Sequence, residues 1–314
     1  MGRTAYLGHR LVQLVPVLFG LTLVCFLLIH LIPGDPAQTI LGLKATPAAI
    51  AQLHAQWGLD RSLPSQYWLF LERVFHGDLG RSLFYETSTA GLILGRLPAT
   101  LWLVLYGSVL ALLISVPLAV LAASKQNGIR DHVVRAVPLV GLGMPAFWIG
   151  IFLILFFGLK IRAFPIGGYG SGALGHLHAL FLPSLTIAIG MSPLLIRSLR
   201  TSMLTVLQAE YVTTARSKGL PRARLFGRHV LRNALIPTVT VLGINIGYLI
   251  GGTLIVENVF GLPGIGQLML TSISNRDFPV VQGVTLVFGV LVVAVNLLTD
   301  LAYSGLDPRV VFDR

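Results

Sequence analysis

Six apolar stretches, at 11–32, 97–123, 137–159, 180–196, 234–255 and 279–302, constrain this chain more than any other feature of its sequence. A run of about 20 apolar residues, rising 1.5 Å per residue as a helix, crosses a hydrocarbon core of about 30 Å. Inside lipid the backbone has no water to bond, so runs of this kind must close their hydrogen bonds as helices. Charged residues make up only 11% of the chain, against about 25% in soluble domains, too few to cover a water-soluble fold. The expected fold class is therefore an all-α membrane protein with about six transmembrane helices. Arg3 and Arg10 ahead of the first run resemble the start of a signal peptide. That run, however, outlasts the roughly 7 to 15 residues of a signal core, and no small-x-small site follows it, so it reads as a retained helix.

The basic residues sort by loop. With the N-terminus inside, fifteen of the 23 Lys and Arg fall on inner segments and eight on outer ones, while Asp35, Asp60, Glu72, Asp78, Glu86, Glu257 and Asp277 fall outside. The positive-inside bias thus favours both termini in the cytoplasm. The expected organisation is a first helix at 1–32, an extracytoplasmic loop domain at 33–96 and a core transmembrane domain at 97–314, with a long inner loop at 197–233. Segments 47–57 and 65–75 of the outer loop are amphipathic and separated by Gly and Pro, which predicts a small folded cap.

Several function classes fall away. The net charge of +11 punctuates apolar runs, where nucleic-acid binding needs a basic soluble face. Cys25 stands alone, so no disulfide framework or cysteine-based zinc site is available. No phosphate-cradling G-x-x-x-x-G-K-[ST] loop occurs, and none of Lys44, Lys125, Lys160 or Lys218 follows a glycine. ATP chemistry would have to come from a partner. No nucleophile, base and acid are grouped as an enzyme would require. His176 and His178, beside the glycine-rich 167–175 stretch, are too few for a metal site that wants three or four ligands.

The inner loop carries the most information. It reads Glu210-Tyr211-Val212-Thr213-Thr214-Ala215-Arg216-Ser217-Lys218-Gly219-Leu220-Pro221, and then a second basic segment to Asn233. Small residues followed by a chain-reversing glycine predict a helix-turn-helix that projects a compact knob. With Arg228-His229-Val230-Leu231-Arg232-Asn233-Ala234-Leu235-Ile236-Pro237, this loop resembles the EAA-loop permeases of binding-protein-dependent ABC importers. Thr213 in place of the first Glu and the long Gly-to-Pro spacing resemble the peptide/nickel branch. The likeness extends in order through Leu31-Ile32-Pro33-Gly34-Asp35-Pro36, Gly58-Leu59-Asp60, Gly77-Asp78-Leu79-Gly80, Leu97-Pro98-Ala99-Thr100 and Pro145-Ala146-Phe147. It continues with Gly251-Gly252 to Glu257, Pro263-Gly264-Ile265-Gly266, Arg276-Asp277-Phe278-Pro279-Val280 and Leu306-Asp307-Pro308-Arg309.

The resemblance implies a type I importer permease in the bacterial inner membrane. It would pair with a second, homologous permease, two ATP-binding subunits that hold ATP and Mg, and an extracytoplasmic substrate-binding protein. It also implies that Glu210, Tyr211, Thr213, Thr214, Ala215, Arg216, Lys218, Gly219 and Leu220 form the helix that couples to an ATPase. The competing reading of this loop is a basic helix held at the surface by anionic lipid. In the fifth span, Gly243, Gly247 and Gly251 recur every four residues with Gly252 beside them, a pattern for close helix approach either within the chain or to a partner. Asn245, Tyr248 and Glu257 are candidates to line the substrate route, since polar groups at membrane depth usually face a cavity; bonding across helices, packing and an interfacial position are the alternatives. His30 and Asp300, near span ends, are expected at the interface. Small peptides are the first cargo by family breadth, with nickel, a nickel chelate or glutathione as alternatives. A secondary transporter would instead want midplane ionisable groups and repeat symmetry, which the sequence lacks.

Overall fold

The computed structural model describes residues 3–30, 36–42, 45–58 and 60–306. The resemblance at 31–35, at Leu59 and at 307–309, and the tail charges Arg309 and Arg314, lie outside the described residues. Among the described residues the structure is helical, and the chain divides into two compact units.

The first unit comprises residues 1–100 and 263–293. It contains α1 (Arg3–His30), α2 (Pro36–Leu41), α3 (Pro47–Trp57), α4 (Leu63–Phe75), the start of α5 (Thr89–Ser124), α13 (Ile265–Ser274) and the first part of α14 (Phe278–Leu306). Between α1 and α5, helices α2, α3 and α4 are formed. The Thr46 side chain accepts from the Ala49 amide at 3.2 Å and Pro47 occupies the first turn, a start that satisfies one orphan donor and tolerates the missing N–H. Cys25, Phe26, Phe70 and Leu286 form a core where α1 meets α4, and His30 Nε2 pairs with Gln66 Oε1 at 2.8 Å. His30 is thus bonded to α4. Helix α5 begins at Thr89, within the segment 33–96 expected outside the membrane.

Two family motifs acquire a physical reason here. Residues 80–88 fold back on themselves, with Ser82 N donating to Thr87 O at 2.9 Å and the Arg81 guanidinium donating to Glu86 O. The buried Asp277 carboxylate, distant in sequence, accepts from Ser82 Oγ at 2.5 Å and from the amides of Leu83 and Phe84 at 3.4 and 3.3 Å. Thr100 Oγ1 accepts from Ile265 N at 3.0 Å and so caps α13 from another helix.

The second unit comprises residues 101–262 and 294–314. Its elements are the rest of α5 and α14, α6 (Ile129–Gly143), α7 (Ala146–Leu153) continuing as a π-helix (Ile154–Lys160), α8 (Gly172–Ala179), α9 (Phe181–Leu207) and α10 (Glu210–Ser217). These are followed by α11 (Arg222–Arg224), which continues as a π-helix (Leu225–Leu231), and α12 (Arg232–Val259). Helix α9 is central and packs on α6, α7, α8, α10 and α12.

Among the described residues, four helices are long and apolar enough to cross a membrane: Thr89–Ser124, Phe181–Leu207, Leu225–Val259 and Phe278–Tyr303. The third expected span, 137–159, is not one straight helix. It is α6 and α7, bent by 100°. Met144 precedes Pro145, whose ring disfavours helical geometry in the residue before it, and Met144 is extended at φ −94, ψ 132. The Pro145 carbonyl then starts α7 by accepting from Trp148 N and Ile149 N. Helix α9 continues past 197 to Leu207. Leu195, Leu199 and Met203, spaced by four, keep its buried face going past Arg197 and Arg200.

Candidate functional site

Helix α10 is held by one face. Val212 is fully buried and Ala215 half-buried, three residues apart and hence on one side, in a cluster with Ala119, Leu199, Met203, Leu225 and Val230. Glu210, Tyr211, Thr213, Thr214, Arg216 and Lys218 are exposed around the rest of the helix, and Leu220 beyond its end is half-buried. Tyr211 Oη accepts from Asn233 Nδ2 at 3.1 Å, and the same amide donates to His229 O at 2.8 Å. Thr214 Oγ1 donates to Glu210 O at 3.0 Å.

The end of α10 explains Gly219. The Leu220 amide bonds back to Ala215 O at 3.2 Å and the Gly219 amide to Arg216 O at 3.0 Å, the paired bonds of a Schellman cap. That cap requires a left-handed residue, and Gly219 has φ +76. A β-carbon there would meet nothing within 4 Å. The residue is needed for its backbone angle, and the chain leaves the space beside it empty.

A second feature lies at the α6–α7 bend. A cavity of about 220 Å³ is lined by Met144 and Ala146 at the break, by Gly190 of α9, and by Asn245, Tyr248 and Gly252 of α12. Tyr248 is 78% exposed. Asn245 Nδ2 donates to Val241 O one turn back at 2.7 Å. Glu257 is not among the lining residues. It sits inside α12 and is fully buried.

The four glycines of α12 do not act as one seam. A β-carbon on Gly243 would run into the Thr299 side chain of α14, so this glycine serves packing within the chain. Gly247 is half-buried, whereas Gly251 and Gly252 are exposed with open space beside them. His176 and His178 lie in α8 and not in a flexible loop. Their ring nitrogens pair with the carbonyls of Tyr169 at 2.7 Å and Ala163 at 3.1 Å. Asp300 falls six residues before the end of α14.

Sequence reading missed one ion pair. Asp131, fully buried in the first turn of α6, takes Arg200 of α9 in a bidentate grip at 2.5 and 2.7 Å, and Arg135 Nε stands 3.6 Å away. Asp131 also accepts from the Asn127 amide at 3.0 Å. A lone acid amid the bases of 125–135 was the available signal.

Comparison with known proteins supplies a frame for these features. Residues 115–312 match the family described as binding-protein-dependent transport system inner membrane component, and residues 4–104 match its N-terminal companion. A Brucella ovis protein named as a peptide permease is 39% identical, over 97% of this chain and 98% of its own length. The oligopeptide transport system permease AppB of Bacillus subtilis is 36% identical, over 98% and 99%. The glutathione transport system permease GsiC of Pectobacterium atrosepticum is also 36% identical, over 97% and 98%. A solved structure of the inward-facing MetNI methionine ABC transporter superposes with a TM-score of 0.58 at 16% identity, covering 69% of this chain and 96% of that one. That level of identity speaks for the fold.

Proposed function

The chain belongs to the family of binding-protein-dependent transport system inner membrane components, and from that premise we propose that it forms half of the translocation pathway for small peptides. It is a permease subunit of an ABC importer, resident in the bacterial inner membrane. Both termini lie in the cytoplasm on this reading, and α10 seats on an ATP-binding subunit. A second, homologous permease completes the pathway, two ATP-binding subunits supply hydrolysis with their own ATP and Mg, and an extracytoplasmic binding protein delivers the cargo to the side that carries residues 33–96.

The observation that carries this reading is the build of α10. Val212 and Ala215 fix the helix to the bundle while its other residues stay exposed. A partner that moves α10 therefore moves α9 and α12, which share its core. The same α12 lines the cavity at the α6–α7 bend. ATP-driven displacement of α10 would redistribute that cavity between its open states, as a ligand shifts any two-state equilibrium by its differential affinity.

Peptide cargo is supported by relatives named for peptides that align over nearly the whole chain. Glutathione is the second reading, favoured by a relative of the same 36% identity. Uptake into proteoliposomes holding the complete importer and its cognate binding protein separates them. Labelled dipeptides are expected to accumulate with ATP, ahead of glutathione and nickel. Accumulation of nickel or glutathione without peptide would overturn the cargo assignment.

A further inference from the structure

A groove of about 410 Å³ runs between α6 and α9, and its two ends differ in chemistry. Arg135, Arg197 and Arg200 stand at one end, while Leu139, Leu142 and Leu194 wall it toward the other. Asp131 absorbs one of the three positive charges, through its bidentate hold on Arg200 and its nearness to Arg135. Arg197 is exposed and, among the described residues, makes no ion pair. The mouth is therefore cationic.

From Arg135 to Leu142 the groove follows α6 for about 10 Å at 1.5 Å per residue, along a helix pair apolar enough to cross a membrane. A soluble anion would satisfy the arginines and leave the leucine walls unused. An uncharged lipid would do the reverse. Only an anion joined to a hydrocarbon chain matches both ends, and basic pockets between transmembrane helices are known to hold anionic headgroups.

We propose that this groove binds one anionic phospholipid, its phosphate at Arg135 and Arg197 and an acyl chain against Leu139, Leu142 and Leu194. Bound there, the lipid bridges the same two helices that the Asp131–Arg200 pair ties. It is a lipid site apart from the α10 surface, and it shares only Leu142 with the lining of the cavity at the bend.

Native mass spectrometry of the complete importer, titrated with phosphatidylglycerol or phosphatidylcholine, tests the proposal. Phosphatidylglycerol is expected to be retained in preference, one molecule per copy of this chain. Arg135→Gln and Arg197→Gln should each weaken retention about fivefold; Arg197, being unpaired, can be changed without breaking the clamp. Leu139→Trp should displace the lipid with all arginines intact, whereas Arg232→Gln, an exposed base on α12, should change nothing. Millimolar inorganic phosphate should not compete. Equal retention of phosphatidylcholine, unchanged retention in both Arg197→Gln and Leu139→Trp, or displacement by phosphate or by a transported peptide would overturn it.

Discussion

Gly219 offers a way to separate what α10 needs for its own shape from what it offers a partner. Placing any L-residue with a β-carbon at φ +76 costs roughly 1–2 kcal/mol, a factor of about 5–30 in the equilibrium of the cap. Alanine and tryptophan share that backbone cost. Asparagine, which visits the left-handed region more readily, should carry less of it. A β-carbon at Gly219 finds nothing within 4 Å, so alanine enters open space in the chain. A further loss from alanine to tryptophan, in variants of this chain with equal melting temperature, therefore measures a surface supplied by another subunit. Overfilling a packed interface costs about 1–3 kcal/mol, or roughly 5–150-fold. Peptide uptake and binding-protein-stimulated ATP hydrolysis should accordingly rank glycine, asparagine, alanine and then tryptophan in proteoliposomes, with a wide last step. Tryptophan equal to alanine would refute the docking of α10 at this point.

Three other outcomes follow from the geometry. Asp131→Ala leaves the largely buried Arg200 guanidinium without its counter-charge and should lower stability by about 3–5 kcal/mol, read as a depressed melting temperature in detergent. Asp131→Leu combined with Arg200→Met should recover much of it. Asp277→Ala removes the acceptor for Ser82 Oγ and two backbone amides, a loss of about 1–3 kcal/mol. Hydrogen exchange of the Leu83 and Phe84 amides should rise while that of α9 stays unchanged. A β-carbon at Gly252 meets nothing within 4 Å and Gly252 lines the 220 Å³ cavity, so with Gly252→Trp peptide uptake should collapse in a complex that assembles normally; retained uptake would remove this cavity from the pathway.

The helices were legible in the sequence where the cause is local. Apolar length marks the long helices, and Thr46-Pro47 with Gly58 marks both ends of α3. The α6–α7 bend was hidden because hydropathy averages across Met144-Pro145, where both flanking segments are apolar. Only the steric rule for the residue before proline distinguishes a break from a continuous span there. The place of Arg197 and Arg200 on α9 rests instead on a distant contact. Arg197 and Arg200 look like loop residues, but Arg200 is neutralised by Asp131, 69 positions away, and no sequence window spans both. Asp277 is a similar case, an acid that reads as solvent-exposed and is in fact a buried acceptor for residues nearly 200 positions earlier.

The glycines show why the candidate site needed coordinates to resolve. Three of them share a residue type and carry three unrelated requirements. Gly219 supplies a backbone angle in open space, Gly243 supplies the missing volume that lets α12 approach Thr299, and Gly252 supplies neither, since its space is open and its helix is regular. A spacing of four reports a shared helical face and cannot tell filled space from empty. Gly243 therefore belongs to the architecture of this chain, and only Gly251 and Gly252 leave room that another molecule could use. Because Gly252 borders the same cavity as Asn245 and Tyr248, the free end of the glycine pattern and the polar candidates converge on one place at the bend. Along α12, then, the close approach of Gly243 to α14 is separate from the cavity that Asn245, Tyr248 and Gly252 line beside the break at Pro145.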